Sequence, residues 1–240
     1  MKGVWQERVE MGRARAEVYG FFSRVFLKRP REVDLNRLLA AETLDALGAL
    51  YGDHPSLNGL RDVADEWSRG RLDPEEIQVQ YDNLFLVPGP HYVPPYESVL
   101  LGDDAVGGAG RRGTLFGRKA RRIASIYEEH GLGPSEGLDE FPDHIGVELA
   151  FMEYLCRRAA EAHAARDVQA AEFLENAASS FLREHLHAFS QRFASAIVEK
   201  GLSPTYEALA GLLASFLEDD LNEVSSGPDR RWENAVTCSC

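Results

Sequence analysis

Apolar residues along the chain recur at helical spacing. Val18, Phe21, Phe22, Val25 and Phe26 follow an i, i+3, i+4, i+7, i+8 pattern, which predicts one buried helix face. Leu35, Leu38 and Leu39, then Leu47 and Leu50, continue the pattern behind an expected Asp34 cap. Leu57, Leu60, Val63, Ala64 and Trp67 repeat it after Ser56. Asp73-Pro74-Glu75-Glu76 reads as a helix start, with a capping carboxylate, proline in the first turn and acid at the positive end. That helix carries Ile77, Tyr81, Leu84 and Phe85. Further helices are expected from Thr114 to a stop at His130-Gly131, over 143–164, over 167–199 with a bend or break near Arg183–His187, and over 204–219 behind Ser203-Pro204. No segment alternates with the period of a strand.

One stretch interrupts the pattern. Residues 88–113 hold prolines 88, 90, 94 and 95 and glycines 89, 102, 107, 108, 110 and 113, so no helix is expected to cross it. The expectation is an all-α protein, a single globular bundle of roughly eight to ten helices. Residues 1–219 are expected to form the helical domain, with room for a two-part organisation around the 87–113 loop, and 220–240 are expected to form a polar flexible tail.

Composition narrows the function. The 240 residues carry 26 Lys+Arg against 39 Asp+Glu, a net charge of −13 that disfavours general nucleic-acid or anionic-membrane binding. The longest uncharged apolar run, 208–217, is about half the ~20 residues that span a bilayer. The N-terminus has no apolar core of a secretory signal, and three cysteines do not make a disulfide scaffold. No stable membrane insertion is expected, and the expected location is the cytoplasm.

Several local groupings carry chemistry. Residues 108–113 match G-x-G-x-x-G but lack a preceding strand, so a flexible connector is the default. Arg111, Arg112, Arg118, Lys119, Arg121 and Arg122 gather six cations near a helix start, a candidate RNA or anion site in an otherwise acidic chain. Glu184-x-x-His187, with Glu148 and His144, is the candidate set for a helical metalloprotein, but a di-iron bundle needs a second such motif and none exists. Cys238-x-Cys240 offers two ligands, too few for a closed zinc site. No catalytic constellation is present, and neither metal nor cofactor is expected.

The segment Glu140-Phe141-Pro142-Asp143-His144 is the most informative. Pro142-Asp143 reads as a loop end and N-cap of the following helix, with His144 half exposed in its first turn. This segment resembles the Glu-x-x-Asp-His motif of the TorD/DmsD/NarJ family of redox-enzyme maturation chaperones. Tyr81-Asp82-Asn83-Leu84-Phe85 is similar to that family's Tyr-x-x-Leu-Phe element, and Pro94-Pro95-Tyr96-Glu97-Ser98-Val99 to its Pro-x-Glu-Ser element. Phe181-Leu182-x-x-His185-Leu186 resembles its C-terminal helix, so the likeness spans about residues 15–217. Proline directly follows the motif glutamate in many members, whereas Phe141 stands there in this chain.

The resemblance implies an all-helical cytoplasmic chaperone, not an enzyme. Its partner would be the apo catalytic subunit of a molybdopterin-containing oxidoreductase, held at its twin-arginine signal peptide until cofactor is inserted. Homodimers formed by domain swapping occur in the family. A cationic, partly apolar segment calls for carboxylates and an apolar groove. Asp143, Glu97 and Glu140 are the candidate acids, with His144 and Ser98 as polar neighbours. Tyr96, Phe141, Pro142, Phe85 and Leu84 are the candidate apolar contacts.

Overall fold

Two long helices form the spine, α1 (Val4–Leu27) and α8 (Ile145–Ala165). They approach closely because α1 presents small residues to α8. A Cβ at Gly12 would stand 3.0 Å from the Ala160 Cβ, and one on Gly146 of α8 would stand 2.8 Å from the Leu27 Cβ. The computed structural model describes residues 3–102, 117–133 and 140–226.

Between the spine helices lie α2 (Glu32–Leu38), α3 (Ala41–Tyr51), α4 (Pro55–Ser68), α5 (Pro74–Tyr81), α6 (Glu97–Leu100) and α7 (Arg118–Glu129). After α8 come α9 (Val168–Phe181), α10 (His187–Lys200) and α11 (Pro204–Ser226). α9 folds back on α8 through Arg166, in the left-handed conformation at φ 60°, and through the Asp167 carboxylate, which accepts from the Ala170 N–H at 3.0 Å. α11 packs on α10 and α4.

Two π-helical turns interrupt the pattern. Asp82–Leu86 extends α5, and Leu182–Leu186 joins α9 to α10, where a break near Arg183–His187 was expected. A π turn inserts one extra residue per turn and rotates the side chains that follow. The first turns Leu84 and Phe85 inward. Phe85 meets Phe26, Phe193 and Tyr206, with ring centroids 6.1, 5.6 and 5.3 Å away. Leu84 and Phe85 are therefore core residues rather than walls of a peptide groove.

No helix crosses the proline- and glycine-rich stretch among the described residues, although the single turn α6 lies within it. Two further expectations change. α11 runs past the expected tail boundary, because Asp220 is buried and accepts from Arg15 Nη2 at 2.8 Å and the Tyr19 hydroxyl at 2.6 Å. Asp34 does not cap α2; it sits in the first turn and accepts from the Arg31 N–H at 3.0 Å. The Asp73 cap stands as expected, accepting from the Glu75 N–H at 2.8 Å. Among the described residues there is no strand and no helix long and apolar enough to cross a membrane. The G-x-G-x-x-G segment, Arg111, Arg112, Cys238 and Cys240 lie outside them.

Candidate functional site

The Pro-x-Glu-Ser and Glu-x-x-Asp-His segments meet at the N-terminal ends of α6 and α8. Tyr96 and His144 form an isolated antiparallel bridge: the Glu97 N–H donates to the Asp143 carbonyl at 2.9 Å, and the Ile145 N–H to the Pro95 carbonyl at 2.8 Å.

Side chains lock this bridge. Asp143 is fully buried, and its Oδ2 accepts from the Ser98 N–H at 3.0 Å and the Ser98 hydroxyl at 2.5 Å. It thus satisfies a free N–H of α6, not of its own helix as expected from the sequence. The cap of α8 is His144, whose Nδ1 accepts from the Gly146 N–H at 3.0 Å, which places the ring proton on Nε2. His144 is 3% exposed rather than half exposed, and burial pulls its pKa down to about 4, so it is neutral at physiological pH. Its ring lies edge-on to Tyr96, centroids 5.4 Å apart.

Glu97 is also fully buried. Oε1 accepts from Lys119 Nζ of α7 at 3.1 Å, and Oε2 meets His185 Nδ1 of the second π turn at 2.9 Å. With both oxygens engaged, Glu97 is a structural clamp between α6, α7 and the α9–α10 connection, not an exposed acid for an incoming cation. Sequence reasoning left Lys119 and His185 out of this site. Lys119 read as one of an external cluster, and only the bend at 183–187 hinted that His185 is rotated inward.

Glu148 joins the same interior. It is fully buried, and neither carboxyl oxygen has a hydrogen-bond partner among the described residues. Burial first, then the charges of Glu97 and Asp143, hold its carboxyl well above the ordinary acid range, with Lys119 pulling weakly the other way. The pattern contained a signal: Ile145, Glu148, Leu149 and Met152 share one helical face, so Glu148 occupies an apolar position.

The outward part of the site is smaller. Glu140 is half-buried, and its Oε2 accepts from the Tyr96 hydroxyl at 3.2 Å. Phe141 is 36% exposed and stands edge-on to Tyr96 at 5.7 Å. Pro142 is half-exposed, and its carbonyl accepts from the Tyr127 hydroxyl at 2.9 Å. Tyr92 lies close enough that, after burial, the Glu140 charge adds to the upward shift of its phenol. Of the ten candidate residues, Glu140, Phe141, Pro142 and Tyr96 are partly accessible; Glu97, Ser98, Asp143 and His144 support them from beneath; Leu84 and Phe85 belong to the core.

The other groupings do not assemble. Glu184 pairs with Arg122 at 3.2 Å and His187 with Glu218 at 2.6 Å, away from the buried Glu148 and from His144, which caps α8. Among the described residues no three His, Cys, Asp or Glu side chains stand close enough to hold a metal ion. The cationic start of α7 is partly neutralised, Lys119 by Glu97 and Arg122 by Glu184.

Comparison with known proteins places the chain in a family. Residues 38–195 match the family model of the nitrate reductase delta subunit. The chaperone protein TorD of Vibrio cholerae (El Tor) is 27% identical over 221 residues, 90% of this chain and 94% of that protein. The Vibrio vulnificus and Shewanella loihica TorD chaperones are 26% and 25% identical, covering 89% and 86% of this chain and 95% and 90% of theirs. A crystal structure of a redox enzyme maturation protein from Archaeoglobus fulgidus shares the fold, with TM-score 0.50, 24% identity and coverage of 85% of this chain and 93% of that one. The chain belongs to the nitrate reductase delta subunit family, the TorD/NarJ group, whose curated relatives named above are chaperones.

Proposed function

We propose that the chain holds the apo catalytic subunit of a molybdopterin-containing oxidoreductase in the cytoplasm, gripping its twin-arginine signal segment until cofactor is inserted. The observation that carries this reading is the division of the motif. Its buried members fix the junction, while Glu140, Tyr96 and Phe141 offer one carboxylate and two aromatic rings at the surface. A guanidinium suits that set, because it forms charge-assisted hydrogen bonds to a carboxylate and stacks on aromatic faces. The net charge of −13 speeds encounter with a cationic segment. Asp143, Glu97 and His144 serve the reading indirectly, by fixing where Tyr96 and Glu140 stand.

The test is calorimetric titration with a synthetic twin-arginine signal peptide from a molybdoenzyme of the native host, beside the same peptide with both arginines replaced by glutamine. The arginine peptide binds, its affinity falls as salt rises, and Glu140→Gln weakens it about tenfold or more with helical content unchanged. Equal binding of the two peptides, or no effect of Glu140→Gln, contradicts the reading.

A further inference from the structure

Glu148 has no task in the recognition described above, and its environment is costly for an acid. Its carboxyl is buried at the centre of the junction without a hydrogen-bond partner among the described residues. The titratable and charged groups around it come from every side of the junction. They are Glu97 of α6, Asp143 ahead of α8, and Lys119 and Tyr127 of α7, with His185 of the π turn joined through Glu97. On α1, the non-titrating Ser23 donates to the Gly146 carbonyl at 2.8 Å. Lys119 is engaged by Glu97, so the nearest cation is already committed.

Two carboxyls thus face a third across a joint held by one two-hydrogen-bond bridge and one Asp–Ser cap. Charge on all three is unfavourable while they are enclosed, and water relieves it only if the joint opens. We propose that Glu148 makes the α6–α8 junction a proton-linked latch, closed while its carboxyl keeps a proton and released when the proton is lost to solvent. Opening separates Pro95–Ser98 from Asp143–Ile145 and frees the segment that carries Tyr96.

The sign follows from linkage. A group that binds its proton more tightly in the closed form favours opening as pH rises above its open-state pKa, the ordinary 4.5. The experiment is hydrogen exchange of the Glu97, Ser98 and Ile145 amides across pH 7 to 9, above the range in which a released His144 takes a proton, corrected for intrinsic exchange. In the wild type the opening constant rises with pH by up to about tenfold per unit. In Glu148→Gln, which keeps the shape and cannot ionise, that dependence is lost. Parallel slopes in the two proteins overturn the proposal. If Glu148→Gln does not fold, infrared spectroscopy of the wild type decides: the carbonyl band of a protonated carboxylic acid persists at neutral pH and disappears as the exchange rate rises. Its absence at neutral pH overturns the latch.

Discussion

His144 illustrates how a side chain that resembles a binding group works as architecture. Its Nδ1 caps α8, its ring closes against Tyr96, and burial holds its pKa near 4 against an ordinary 6.5. A base with a depressed folded-state pKa contributes stability that is present above pH 6.5 and lost as pH falls toward 4, because the unfolded chain takes the proton first. The full loss is about 3 kcal/mol. His144→Asn keeps a capping oxygen without the titration, so its denaturation midpoint flattens between pH 6.5 and 4 while the wild type declines. An equal decline in both proteins would show that His144 is not the acid-sensitive group. Little of this was legible in the residue pattern. The preferred caps are Ser, Thr, Asp and Asn, and the neighbouring Asp143 fits that rule. Its carboxylate was drawn away to α6 by a strand bridge that links residues far apart in sequence. His54 does the same at α4, accepting from the Ser56 N–H at 3.2 Å.

At the scale of elements the sequence was far more legible, because helices report their buried face locally. The periodic runs became α1 to α5 and α7 to α11, and the expected stop at His130-Gly131 carries glycine at φ 76°. The single turn α6 was missed because its stability comes from Asp143, not from its own four residues. Close approach of elements was equally invisible until the partner was known. Gly146 looks like a defect in α8, yet a methyl there would strike the Leu27 Cβ at 2.8 Å and its Cα at 2.9 Å. Gly146→Ala therefore lowers stability in urea by about 1–3 kcal/mol despite a better helix former. In α4, a Cβ at Gly59 meets only the Ala208 Cβ at an ordinary 3.9 Å, so Gly59→Ala raises stability by about 0.5–1 kcal/mol. A stabilising Gly146→Ala would mean that α1 and α8 do not pack as described.

For the whole molecule, the motifs that stand apart in sequence prove to be one junction. Pro95–Ser98 and Asp143–Ile145 pair directly, and Lys119 and His185 bind them to α7 and to the α9–α10 π turn. The four motif segments therefore map onto two jobs: the Tyr81–Phe85 segment builds core, and the other three build and hold the α6–α8 junction. That arrangement decides which substitutions test function. Changing Asp143 or His144 disturbs the fold of the junction, whereas Glu140 and Phe141 lie at its partly accessible edge. The most direct measurement is affinity purification of the tagged protein from its native host, wild type beside Glu140→Gln/Phe141→Ala, with bound proteins identified by mass spectrometry. The wild type is expected to retain a molybdoenzyme catalytic subunit lacking its cofactor, and the double variant, equally stable to heat, to lose it. Retention of that subunit by both proteins would contradict recognition at the Glu140 face, and its absence from the wild type would contradict the chaperone's proposed client.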